Sequence, residues 1–250
     1  MTIIKLDATP STNTYLSALW RQGIFQPPVA VYTVDQTAGR GRRGEVWQSE
    51  SGKNLTISFL IPNPTTQFSH SFAVIVQVSL LIHQWLEQLQ VPNLKIKWPN
   101  DIMAGSKKIC GILVERALLG ASASPFVVGV GINLNQQHFK ALDHVTSVVN
   151  ETGKLLDIDE MARSLSALVE NGFSDALELD TKEYSRLIQR FESRLYQMGE
   201  RCCVAIQDNS FQNVTILGVN EDGRLRVRDP QGELLFLDSA ETHFDYAAKC

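Results

Sequence analysis

The stretch from Phe72 to Leu86 reads FAVIVQVSLLIHQWL, and it limits the possible folds more than any other part of the chain. An apolar run of this kind either crosses a membrane or lies inside a protein. Gln77, Ser79, His83 and Gln84 interrupt it, and it is shorter than the roughly 20 residues a bilayer requires. It therefore reads as a buried helix. The N-terminal MTIIKLDATPSTN has neither a long apolar core nor a small-residue cleavage site, so it does not read as a secretory signal.

Strand-like segments surround this helix. IIKLDAT (Ile3–Thr9) reads as a strand and is followed by STNTYLSALWRQG, where Ser11, Thr12 or Asn13 can cap a short helix that ends near Gly23. VAVYTVDQ (Val29–Gln36) and LTISFLI (Leu55–Ile61) are rich in β-branched residues and read as strands, the second stopped by Pro62 and Pro64. LKIKW (Leu94–Trp98) alternates and breaks at Pro99. IMAGSKKICGILVERALL suggests a hairpin turning at Gly105-Ser106, and PFVVGVGINLN is a further strand. From Asp159 to Met198 the period is helical. Ile158, Met161, Ala162, Leu165, Leu168, Val169 and Phe173 share one face, and Tyr184, Leu187, Ile188, Phe191 and Leu195 share a second. After that come the short strands CCVAIQ, NVTILGVN, RLRVRD and ELLFLD, with turns at Asp208-Asn209, Asp222-Gly223 and Gln231-Gly232, the pattern of a small antiparallel barrel. The expected organisation is α+β over residues 1–195, with a small β unit over residues 196–250.

AGRGRRGEVW (Ala38–Trp47) poses the chemical question. Gly39, Gly41 and Gly44 fit G-x-G-x-x-G, but a dinucleotide-binding turn needs a following helix to receive the pyrophosphate. EVWQSESGKN supplies no helical period, and the acidic residue expected some 20 positions on is replaced by IPNPTT. A Walker loop ending at Gly52-Lys53 would need glycine at Trp47 and Ser or Thr at Asn54. What remains is a loop whose glycines permit positive φ and close approach of N–H groups to an anion. Arg40, Arg42 and Arg43 add forked donors suited to phosphate or carboxylate. The alternative is a solvated basic loop. The formal net charge of −4 over 250 residues argues against a nucleic-acid polycation, so any basic site is local.

Cys110, Cys202, Cys203 and Cys250 show no zinc-ligand spacing, and reduced thiols are expected, with one of Cys202 and Cys203 buried and the other exposed. The five histidines form no triad or metal pattern.

The loop has chemically pointed neighbours: STN (Ser11–Asn13), KWPND (Lys97–Asp101), KKICGILVE (Lys107–Glu115) and GVGINLN (Gly129–Asn135). Together with DQTAGRGRRGEVW (Asp35–Trp47) and NLTIS (Asn54–Ser58), and in this order, they resemble the catalytic domain of the biotin–protein ligases over roughly residues 1–150. The resemblance implies a mixed sheet flanked by helices, of the class II aminoacyl-tRNA synthetase and biotin-ligase kind, with a small C-terminal SH3-like barrel. It implies activation of biotin by ATP to biotinyl-5′-AMP, with Mg2+ on the phosphates, and transfer to a lysine of a biotin carboxyl carrier domain. By position, Lys108 matches the family's catalytic lysine, with Arg40, Arg42 and Asp101 as partners and Asp101 as the candidate metal ligand. Ser11, Thr12, Asn13, Gln36, Gly39, Arg40, Gly41, Lys108 and Gly111 are the candidates for biotin, and Arg42, Arg43, Trp47, Asn100 and Asn133 for the nucleotide. Ser11 and Thr12 equally fit a helix cap. A cytoplasmic enzyme is expected, a homodimer is possible, and without a helix-turn-helix ahead of the first strand no DNA binding is expected. The rivals are a lipoate ligase or octanoyl transferase of the same superfamily, and a non-enzymatic binding module.

Overall fold

The computed structural model describes residues 1–62, 70–117, 124–140, 142–174, 180–206, 210–240 and 242–244. Pro64, the Asp208-Asn209 turn and Cys250 lie outside them. In chain order the elements are β1 (Thr2–Thr9), α1 (Thr12–Arg21), β2 (Val29–Gln36), β3 (Leu55–Ile61), α2 (His70–Gln88), β4 (Leu94–Lys97), β5 (Asp101–Ala104), β6 (Lys107–Arg116), β7 (Phe126–Ile132), α3 (Val148–Thr152), α4 (Ile158–Ser174), α5 (Thr181–Glu192), β8 (Arg201–Ile206), β9 (Ser210–Val219), β10 (Leu225–Arg228), β11 (Leu234–Leu237) and β12 (Thr242–Phe244).

The first seven strands form one mixed sheet in the order β1-β2-β3-β7-β6-β5-β4, parallel only at β1–β2. Alternation along each strand divides its two faces. Leu55, Ile57 and Phe59 of β3 join Ala30 and Tyr32 in the main core, under α2, α4 and α5. Val29, Val31 and Leu60 point the other way, against Leu16 of α1. The long apolar segment is thus a helix enclosed by sheet and helices, as its composition requires. No helix among the described residues is long and apolar enough to cross a membrane.

The last five strands form an antiparallel sheet in the order β11-β10-β9-β8-β12. Its interior residues Val204, Val214, Ile216, Leu225 and Val227 belong to the same apolar cluster as α2 and α5. Trp98, just after β4, donates through Nε1 to Gly223 O at 2.9 Å, and Tyr184 of α5 donates through Oη to Glu221 O at 2.8 Å, both bonds reaching the β9–β10 turn. Two cysteine expectations need correction. Cys202 and Cys203 are both buried, because both faces of β8 are covered. Cys203 is disulfide-bonded, while Cys110 and Cys202 are free.

Candidate active site

The register of the first sheet lines up one transverse row, Thr56–Gly131–Gly111–Asp101–Lys97, across β3, β7, β6, β5 and β4. Neighbours in such a row share a face, and all five residues line a cavity of about 190 Å³ on the α1 side of the sheet. Ser11, Thr12 and Asn13 enter it from the start of α1, and Gln36 from the end of β2. Because β1 and β2 run parallel, both connections emerge at the same end of the sheet.

A bulge places the central lysine. Asp101 pairs with Gly111 and Ile102 with Cys110, but Met103 pairs with Lys108, so Ile109 is the extra residue. In a regular strand Lys108 would share a face with Cys110 and Ile112, which are buried in the core. The inserted residue turns Lys108 to the cavity side instead. A Cβ at Gly111 would lie 3.3 Å from Lys108 Nζ, and that ammonium pairs with Asp101 Oδ1 at 2.7 Å. Lys97, 6% exposed, also lines the cavity. Burial, reinforced by Lys108 and opposed by Asp101, brings its pKa down to about 7.

The arginine segment folds as a small hairpin over this floor. Trp47 N donates to Gly39 O at 3.0 Å, Gly41 N to Glu45 O at 2.7 Å, and Arg40 bridges to Val46. A 3-10 turn over Arg42–Gly44 closes it, with Arg43 in the left-handed region at φ 54 and Gly44 at φ 80. The glycines act otherwise than expected. Gly44 supplies the positive φ, whereas Gly39 serves close approach, since a Cβ there would meet Trp47 O at 2.5 Å. Trp47 is the anchor of the hairpin. Its indole lies on the floor, where a Cβ at Gly131 would come within 2.3 Å of the ring. Lys108 Nζ stands 5.8 Å from the ring centroid, and the buried indole N–H has no hydrogen-bond partner.

The three arginines are held differently. Arg40 Nη2 meets Glu115 Oε2 and Thr14 Oγ1, both at 3.2 Å. Arg42 Nη2 donates to Ser239 Oγ at 2.8 Å, and Arg43 Nη2 donates to the Ser239 carbonyl. Ser239 follows β11, so the C-terminal sheet supplies part of the wall. Burial and then Arg43 lower the pKa of the Arg42 guanidinium, so this cation sits where an incoming anion would be welcome.

Of the residues singled out in the sequence, Ser11, Thr12, Asn13, Gln36, Arg40, Gly41, Arg42, Arg43, Trp47, Asn100, Asp101, Lys108 and Gly111 line the cavity. Gly39 and Asn133 do not. Asn133 is 2% exposed and donates through Nδ2 to Thr146 O at 3.0 Å, tying the end of β7 to the segment before α3. Asn100 donates to Ile112 O at 2.7 Å. Ser11 accepts from Thr14 N at 3.4 Å, so it caps α1 and lines the cavity at once. Thr12 donates from its backbone N to Gln36 Oε1 at 3.0 Å. Sequence reasoning missed Thr56, Lys97, Glu45, Ser239 and Thr242 as lining residues. Lys97 stood inside a quoted motif, but nothing around Ser239 signals a site.

The chain matches the model of the biotin/lipoate A/B protein ligase family over residues 6–133. It is 27% identical over 202 residues to the bifunctional ligase/repressor BirA of Bacillus spizizenii, covering 79% of this chain and 60% of that protein, so it spans less than two thirds of that relative's length. It is 26% identical over 215 residues to a biotin–[acetyl-CoA-carboxylase] ligase of Paracoccus denitrificans, covering 84% of this chain and 88% of that one. In fold it is similar to a biotin protein ligase from Aquifex aeolicus solved in complex with biotin and ATP, with a TM-score of 0.77 at 24% identity over 98% of each chain.

Proposed function

The chain belongs to the biotin/lipoate A/B protein ligase family, and from that premise we propose that it joins biotin to ATP as biotinyl-5′-AMP and passes the biotinyl group to a lysine of a biotin carboxyl carrier domain. One observation carries this reading: Lys108 on the floor and Arg40, Arg42 and Arg43 on the hairpin converge on a single cavity, with Lys97 beside them. A carboxylate and a triphosphate repel each other, and fixed cations reduce the cost of bringing them together.

In the first step a biotin carboxylate oxygen attacks the α-phosphorus, the bond to the bridging oxygen breaks, and pyrophosphate leaves with the electron pair. Lys108 stabilises charge on the carboxylate and α-phosphate, while Arg42 and Arg43 hold the phosphates. Thr12 and Gln36 face the ureido ring, with the Gly39–Gly41 backbone beside it, and Trp47 and Asn100 meet the adenine. In the second step the acceptor amine attacks the acyl carbon, the acyl–phosphate bond breaks and AMP leaves. The amine's proton passes to a nearby base, for which Asp101, 2.7 Å from Lys108, is the candidate. The described residues include no group of three His, Cys, Asp or Glu able to hold a metal. Magnesium would therefore arrive on the triphosphate, with Asp101 as its protein ligand and charge neutralisation as its contribution. The hairpin excludes water from the labile anhydride. We place the reaction in the cytoplasm, where ATP is available.

Pyrophosphate–ATP exchange measured with biotin, lipoate or octanoate tests the reading. Exchange dependent on biotin is expected. Exchange with lipoate or octanoate alone would assign the chain to another branch of its family, and no exchange with any acid would overturn the proposal.

A further inference from the structure

One carboxylate oxygen joins the hairpin to the buried end of the pocket. Glu115 on β6 accepts from Asn13 Nδ2 at 2.7 Å and from Arg40 Nη2 at 3.2 Å, both through Oε2. Asn13 is 3% exposed, and its Oδ1 accepts from Ser58 Oγ at 2.6 Å. Ser58 is fully buried on β3. The Glu115 carboxylate fixes the amide's orientation, because a flip would set the Asn13 oxygen against a carboxylate oxygen that can only accept. Gly129 makes room for it, since a Cβ there would lie 2.4 Å from Asn13 Oδ1. The contacts run without a break from the core to the flap: Ser58, Asn13, Glu115, Arg40.

We infer that Glu115 is a positioning residue that couples filling of the acid pocket to closure of the arginine hairpin. The inference rests on the proposed reading of the cavity as an acid-binding site. Asn13 and its neighbour Thr12 line that cavity, whereas Glu115 stands behind it. An acid seated against Thr12 and Asn13 restricts the Asn13 amide. The amide restricts the Glu115 oxygen, and that oxygen fixes the direction of Arg40, which bridges to Val46 within the hairpin. The Arg40 and Glu115 side chains are 50% and 35% exposed, and a pair so open to solvent adds little to fold stability. Its effect is directional: two donors on one oxygen cannot move independently.

The test compares the wild-type chain with Glu115→Gln, Glu115→Ala, Arg40→Met and the Arg40→Met/Glu115→Ala double variant. Thermal unfolding first shows that each is folded. Two readouts follow: protection of residues 37–54 from protease by biotin, and the KM and kcat of biotin-dependent exchange. Glu115→Gln keeps the shape and an oxygen for Asn13 but loses the charge that holds Arg40. Its KM for biotin is expected to rise about tenfold while kcat moves less than about threefold, and biotin protection of the hairpin is expected to be lost even at saturation. The double variant is expected to be no worse than Arg40→Met alone, since coupled residues are non-additive. Additive effects, or full biotin protection in Glu115→Gln, would overturn the coupling while leaving the ligase reading intact. Wild-type exchange with lipoate or octanoate alone would overturn the biotin reading, and the same cycle run with that acid would still decide the role of Glu115. Exchange with no acid overturns both.

Discussion

Gly131 and Arg42 line the same cavity but are kept there by different forces. Gly131 lies on a strand paired on both sides, with Thr56 and with Gly111, above a core of fully buried side chains. Moving it means breaking sheet. Arg42 lies at the tip of a one-turn hairpin whose base is anchored by the Trp47 indole; the tip itself is held by polar contacts, chiefly to Ser239, and Val46 is 71% exposed. Moving it costs a few hydrogen bonds that water can replace. The floor is therefore a template and the hairpin a reversible cover. Damage to the floor should cost stability and activity together, whereas damage to the cover should cost activity alone.

The largest effect is expected from Gly131→Val. Its Cβ would fall 2.3 Å from the Trp47 ring, so the indole must leave the floor. Overpacking of this kind destabilises by about 1–3 kcal/mol, and biotin-dependent exchange should drop about 100-fold, or roughly 2.7 kcal/mol of barrier. Denaturant unfolding and exchange rates check both numbers. Loss of activity with unaltered stability would erase the distinction between floor and cover.

Lys97 sharpens it through pH. Its folded pKa is lowered to about 7, below the unfolded value. Below about pH 7 it is charged in both states, and the fold bears the full cost of burying that charge. From there to about pH 10.4 the unfolded chain holds a proton that the native chain lacks, so stability rises with pH. Lys97→Met should be the more stable protein at pH 6, by on the order of 2–4 kcal/mol, and the advantage should shrink toward pH 10. Parallel stability curves for the two proteins would mean that the floor does not bury this charge.

Ser239→Ala should have the smallest effect. Arg42 loses one hydrogen bond while Arg43 keeps its carbonyl, so the KM for ATP should rise about three- to tenfold, with stability changed by less than about 0.5 kcal/mol. A large loss of stability here would make the cover part of the fold.

The strands of the first sheet were legible because alternation and β-branched runs mark them, and the ends of β2 and β3 are those expected from Val29–Gln36 and Leu55–Ile61. α3 and β12, of 5 and 3 residues, are too short to carry a period. The site was legible where a motif concentrates unusual residues, as in the arginine run and around Lys108. Three things were not. The bulge at Ile109 depends on pairing with β5, which no local pattern reveals. The reason for Gly39 is the later passage of Trp47. Ser239 is brought in by packing between the sheets, almost 200 residues along the chain from Arg42.

The apolar cluster passes from the large sheet into the small one without interruption. Phe72 packs edge-on against Phe191, their centroids 6.0 Å apart. A Cβ at Gly223 would come within 2.5 Å of the Phe72 ring. From a shared interior of this kind a single cooperative unfolding transition is expected for the two sheets. Ser239 and Arg42 are then expected to stay aligned up to that transition, so that any opening of the cavity falls to the hairpin.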